Sequence, residues 1–202
     1  MLVDASVARS FAVVCWPHHL LQACGGTVLI ANGVHGAEPD DPSELRRIRT
    51  ALQHQANQAG LGSGVASRAL AAVHGLDRLL ALGPDQLTVL TLNADELELA
   101  VRLQSRRLED REWRHSLGAK ARRLDAGESA SIAIAATRSL EFASDDEDAL
   151  TLWGALTGTP ARRTRDLLRQ LVTDGVVDEH DARAVHHLLQ SDDLHNLGGP
   201  AW

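Results

Sequence analysis

Short apolar runs alternate along this chain with longer stretches of helical periodicity, and the runs end at acids or at glycine breaks. Met1-Leu2-Val3 leads into Asp4, and Ser6 then stands as a cap for a helix carrying Val7, Phe11 and Val14. Gly25-Gly26 breaks the chain before the apolar run 27–31, a second strand, and Asn32-Gly33 turns out of it. From Ser43, Leu45, Ile48 and Leu52 fall at helical spacing. A glycine-rich break at 60–64 separates this helix from a second, built on Val65, Leu70, Val73, Leu76, Leu79 and Leu80 and ended by Gly83-Pro84.

Residues 86–92 alternate and are rich in β-branched side chains, a third strand, after which Asn93 and Glu96 have the spacing of a capping box. The next helix is expected to bury Leu97, Ala100, Val101 and Leu108. Ala126-Gly127-Glu128 opens a helix of small residues, 140–143 forms a fourth strand, and 156–158 has room for a short fifth. Two amphipathic helices at about 161–190 finish the pattern. Strands separated by helices predict a mainly parallel sheet in an α/β sandwich, read as one domain over 1–202 with a helical insertion at about 43–83.

Composition narrows the function. A formal net charge of -7 argues against nucleic-acid binding by bulk electrostatics, so any such partner must be met locally. Aromatic residues make up 3% of the chain and Tyr is absent, leaving few platforms for stacked bases. No apolar run reaches the roughly 20 residues of a membrane span. With only Cys15 and Cys24 and no signal-peptide pattern, a cytoplasmic location without membrane contact is the expectation.

Acids supply the candidate chemistry. Asp4, Glu38, Glu128 and Asp146 each follow a predicted strand end or open a helix, and in a parallel α/β sheet such positions share one edge, where ligands bind. At about 5 Å and an effective dielectric near 20, each ionised pair repels by roughly 3 kcal/mol. Mg²⁺ or Mn²⁺ is the natural counter-charge, and Asp145 stands beside Asp146 as an auxiliary or alternative ligand.

These pieces resemble the PIN-domain nucleases, in particular their bacterial toxin-like branch. The resemblance rests on Val3-Asp4-Ala5-Ser6, on 28–38 ending at Glu38, on Leu124-Asp125-Ala126-Gly127-Glu128 before an alanine-rich helix, and on Ser144-Asp145-Asp146. Gly158-Thr159-Pro160 and Gly175-Val176-Val177 extend it towards the other end. It implies a PIN-like three-layer α/β/α fold and an acidic metal site of Asp4, Glu38, Glu128 and Asp146. The implied activity is endoribonuclease cleavage leaving a 5′-phosphate and a 3′-hydroxyl. The implied biology is a toxin paired with an antitoxin, with a homodimer as its assembly. The alternatives are a non-catalytic RNA- or protein-binding module of the same fold and a structure-specific DNA nuclease.

Two further clusters bear on partners. Arg102, Arg106, Arg107, Arg111, Arg114, Lys120, Arg122 and Arg123 concentrate positive charge, readable either as a rim for RNA phosphates or as a solvated helix face; Arg106, Arg107, Arg111 and Arg114 have spacings that allow a common helical side. Arg162, Arg163 and Arg165 are a second candidate path. Cys15, His18, His19 and Cys24 lack the paired spacing of a zinc knuckle, and the histidines at 180, 186, 187 and 195 read as a helix face and tail.

Overall fold

A computed structural model of the chain describes residues 1–36, 43–59, 63–118 and 122–191. In chain order its elements are β1 (Leu2–Val3), α1 (Ala5–Val13), α2 (Pro17–Ala23), β2 (Val28–Ala31) and α3 (Asn32–His35). Then come α4 (Glu44–Ala59), α5 (Gly64–Leu80), β3 (Leu87–Leu90), α6 (Ala94–Gln104) and α7 (Leu108–Leu117). The chain continues through α8 (Ala126–Thr137), β4 (Phe142–Ala143), α9 (Glu147–Thr157), α10 (Thr164–Thr173) and α11 (Glu179–Ser191).

The four strands form one parallel sheet in the order β3-β2-β1-β4. Chain order reverses around β1, which places its carboxyl end at a switch point of the kind that opens a ligand crevice. Both residues of β1 and both of β4 are buried, so helices cover the two faces of the sheet there. One set, α3, α6 and α8, packs together on β2 and β1, while α1, α2, α5 and α10 pack on one another. The arrangement fits a three-layer α/β/α sandwich.

The capping box at Asn93 and Glu96 forms, with Asn93 N donating to Glu96 Oε2 at 2.8 Å and Glu96 N donating to Asn93 Oδ1 at 2.9 Å. Arg138 adds an ion pair at 2.6 Å to the same carboxylate, which is fully buried. Other local expectations fail. Residues 156–157 are the last turn of α9, closed by Gly158 at φ 69°, because a left-handed residue there ends a helix rather than beginning a strand. The fifth contact to the sheet is instead a parallel bridge between Ala143 and Arg162. Leu97, Val101 and Leu108 are more than half exposed; α6 buries the stripe Glu96, Ala100 and Leu103 instead, with Glu96 paired to Arg138 on that inner side.

Candidate functional site

Asp4 stands at the carboxyl end of β1 and at the N-cap position of α1, yet its side chain caps nothing. It is 1% exposed, and its Oδ1 is buried without a hydrogen-bond partner. Oδ2 accepts from Ser144 Oγ at 3.0 Å and from Ser6 Oγ at 3.3 Å. The two hydroxyls bind the ends of β1 and β4 together, because Asp146 N donates to Ser144 Oγ at 3.1 Å and Asp145 N donates to Ser6 Oγ at 3.0 Å. Asp4 is thus held within two hydrogen bonds of the Asp146 backbone.

The neighbouring acids are bound differently. Asp146 caps α9, Ala149 N donating to its Oδ1 at 2.8 Å. Asp145 accepts from Thr164 N at 2.9 Å and Thr164 Oγ1 at 2.6 Å. Those bonds anchor the start of α10 beneath the sheet edge. Glu128 is the third residue of α8, where its Oε2 accepts from Asp125 N at 3.1 Å and Asp125 Oδ1 accepts from Glu128 N at 2.9 Å, a capping box.

A cavity of about 180 Å³ gathers these groups: Asp4, Ser6, Arg9, Glu44, Ile48, Glu128, Asp145 and Asp146 line it. Of the acids singled out in the sequence, Asp4, Glu128, Asp145 and Asp146 come together here. Glu38 lies outside the described residues. Glu44, the first residue of α4, is the acid the sequence reading passed over. Its Oε2 is buried without a partner, and it meets the α8 start where Gly127 has no side chain; a methyl group at Gly127 would overlap that oxygen. Gly127 therefore keeps the space into which Glu44 turns.

Burial dominates the electrostatics. It raises the Asp4 carboxyl to about 6 against the opposing pull of the nearby Ala5 amide and the two serine hydroxyls. Burial, reinforced by the charges of Asp125 and Asp4, raises Glu44 to about 8, and the same causes, with Asp146 added, raise Glu128 to about 8. The N-terminus of α8 favours the ionised Glu128 carboxylate. Loss of solvent outweighs it. A larger cavity, about 560 Å³, opens around Phe142, Trp153 and Pro160 at the amino end of β4, away from the carboxyl edge; Glu141 and Arg162 are its charged lining. It lacks a convergence of titratable groups.

Two members of the basic stretch, Arg102 and Arg114, have structural contacts. Arg114 is 3% exposed and donates to the carbonyls of Arg102 at 2.7 Å and Ser105 at 2.8 Å, tying α7 to the end of α6. Arg102 lies 4.0 Å over the Trp113 ring and 3.5 Å from Asp110. Arg106 and Arg107 precede α7, so the four arginines share no helical side. Arg106, Arg107, Arg111, Arg122 and Arg123 remain exposed, and Arg122 is near enough to Asp148 for its charge to act there. Arg163 pairs with Glu147 at 2.7 Å and Arg165 lies 3.7 Å from Asp166, while Lys120 is outside the described residues.

All the oxygens around the small cavity are hard donors, the class that Mg²⁺ and Mn²⁺ prefer. Buried Asp4 Oδ1 and Glu44 Oε2, each without a partner, are the atoms best suited to a cation. Among the described residues no group of three or more His, Cys, Asp or Glu side chains is placed to hold a metal ion by itself. An open, partly hydrated arrangement through one or two carboxylates is the Mg²⁺ habit. The Cys15 thiol donates to the Ala71 carbonyl at 3.4 Å and His19 stacks on Trp16 with ring centroids 4.4 Å apart, so neither is directed to zinc.

The raised carboxyls set a pH dependence. A carboxyl whose folded pKa exceeds its unfolded value binds its proton more tightly when folded, so its contribution to stability is greatest at low pH and declines as pH rises between the two values. For Asp4 that window runs from 3.8 to about 6, and for Glu44 and Glu128 from 4.5 to about 8. In chelator, Glu128→Gln should therefore melt at a higher temperature than the parent, by a margin that grows from pH 5 to pH 8. Added Mg²⁺ or Mn²⁺ should raise the parent's melting temperature more at pH 8 than at pH 6. Parallel melting curves across this range would count against the charge crowding. Compared with known proteins, the chain matches no family model, no curated protein and no solved structure.

Proposed function

We propose that this protein is a divalent-metal-dependent endoribonuclease of PIN-like fold, acting as the toxin of a toxin/antitoxin pair. The observation that carries the reading is the buried Asp4 carboxylate, with an unpartnered oxygen, at the end of the central strand β1, facing one cavity with Glu44, Glu128 and Asp146. Four acids drawn from distant parts of the chain, Asp4 buried and the others partly so, cost stability when ionised together, a cost that a bound cation would offset.

Asp4 and Glu44, with Glu128 and Asp146 around them, would hold Mg²⁺ or Mn²⁺, which when bound would supply Lewis acidity to phosphate oxygens and acidify a water. The chain's own part is placement. Ser6 and Ser144 fix the Asp4 carboxylate, the capping box fixes Glu128, and the Ala149 amide fixes one oxygen of Asp146. With Glu44 as a ligand, Glu128, which lines the same cavity and is oriented by its capping box, would be the carboxylate placed to accept the proton from that water. Exposed Arg122 and Arg123 continue from this edge as a local path for RNA phosphates, positioning the strand without reading its bases. An antitoxin covering the edge and a second copy of the chain are the partners of the same reading.

Purified protein incubated with total RNA should cut it in Mg²⁺ or Mn²⁺ and leave it intact in chelator, with 5′-phosphorylated products. Intact RNA in both metals, or equal cleavage in chelator, would sink the assignment. Single-stranded DNA in the same assay separates ribonuclease from deoxyribonuclease action.

A further inference from the structure

Five acids line the small cavity, and one cation shares it. Arg9 sits on α1, five residues beyond Asp4, which carries its side chain back along the helix towards the β1 end. It is close enough to Glu44, Asp145 and Asp4 for their charges to act on it. An arginine serving as a structural counter-ion would spend its donors on those carboxylates. Arg9 does not: its Nε is buried without an acceptor, and among the described residues it makes neither a hydrogen bond nor an ion pair. Its planar fork is left open inside the cavity, and phosphate is the anion that such a fork matches with two parallel hydrogen bonds.

The position also fits the charge arithmetic of phosphoryl chemistry. Two-metal sites clamp the phosphate between two cations. Here Asp145 is committed to Thr164 and one Asp146 oxygen to Ala149, which reduces the free carboxylate oxygens at that side of the cavity. We infer that Arg9 grips the scissile phosphate of the nucleic acid, standing where a second cation would otherwise be needed, so that the site works with one divalent ion. The identity of that phosphate as the scissile one rests on the nuclease reading; the phosphate contact itself does not.

The test uses AMP and adenosine, which have no phosphodiester to cut, titrated in Mg²⁺ into the parent, Arg9→Gln and Arg9→Lys proteins. The parent should bind AMP at least tenfold more tightly than adenosine. Arg9→Gln should lose that preference and Arg9→Lys, which keeps the charge without the fork, should retain part of it. Mn²⁺ affinity of Arg9→Gln, followed by electron paramagnetic resonance, should equal or exceed the parent's, because a neighbouring positive charge has gone. RNA cleavage by Arg9→Gln should fall at least a hundredfold. Equal affinity of the parent for AMP and adenosine, an undiminished preference in Arg9→Gln, or weakened Mn²⁺ binding in that variant would overturn the inference. A parent that prefers AMP through Arg9 but leaves RNA intact keeps the phosphate site and removes the nuclease reading. One that cuts RNA, with Arg9→Gln cutting equally, does the reverse.

Discussion

Glu44→Gln should abolish metal-dependent RNA cleavage, with a loss greater than about a hundredfold, while the protein stays folded. Partners that merely support a metal ligand are worth about 10–100-fold, so a direct ligand should exceed that range. The amide keeps the shape of the carboxylate and still fits the space beside Gly127. What it removes is the buried charge that burial, Asp125 and Asp4 together disfavour. In chelator at pH 8 the variant should therefore melt above the parent, and that gain should shrink to a small fraction at pH 5, near the lower end of the Glu44 window. Lost cleavage combined with a raised melting point separates a ligand from a structural acid, whose neutralisation would lower both. Undiminished metal-dependent cleavage by a folded Glu44→Gln protein would overturn the assignment.

Why Glu44 escaped the sequence reading is a matter of local chemistry. Ser43 followed by an acid in the first turn is an ordinary helix start, and Ser43 Oγ does accept from Arg46 N at 3.4 Å. Only the tertiary approach of α4 to Gly127 turns the carboxylate into the cavity, and no periodicity in α4 encodes it. Glu128 was legible because its Gly-Glu helix start is itself unusual, and Asp4 and Asp146 because apolar runs end at or just before them. Arg9 was not legible. It occupies a polar position in a helix whose apolar stripe reads as the core face, where a charged residue is expected to meet solvent.

The strands and most helices follow directly from runs, breaks and caps, whereas burial of particular faces does not. Arg114 counts as one more positive charge in the sequence but folds inward to satisfy two carbonyls at the α6 to α7 corner. Leu97 and Val101 look like core at helical spacing, yet Glu96, paired to Arg138, lies on the side of α6 that is inside. In these two cases a polar group with a strong partner lies inside, where the hydrophobic pattern of the helix would not place it.

The largest effect on stability is expected from Gly75→Ala. Gly75 lies in α5 against α1, and a methyl group there would overlap the Ala12 carbonyl oxygen, with the carbonyl carbon 2.7 Å and the Cα 3.3 Å away. The obstacle is backbone, so no side chain can swing aside. Two helices must separate instead, and α5 brings buried Ala69, Ala72, Val73, Leu76 and Leu79 to an interface that loses contact as they part. Overpacking costs typically about 1–3 kcal/mol and occasionally more. At about 2–4 °C per kcal/mol for a domain of this size, a cost near the upper end lowers the melting temperature by roughly 6–12 °C. Alanine is the better helix former, so propensity alone predicts a gain. The displaced helix is the one that begins at Asp4 and carries Arg9, which makes the consequence functional as well. Gly75→Ala should cleave RNA more slowly even below its melting temperature, with weakened Mn²⁺ binding, whereas Arg9→Gln should slow cleavage with Mn²⁺ binding intact. A variant as stable as the parent would show that α1 and α5 do not meet at this glycine.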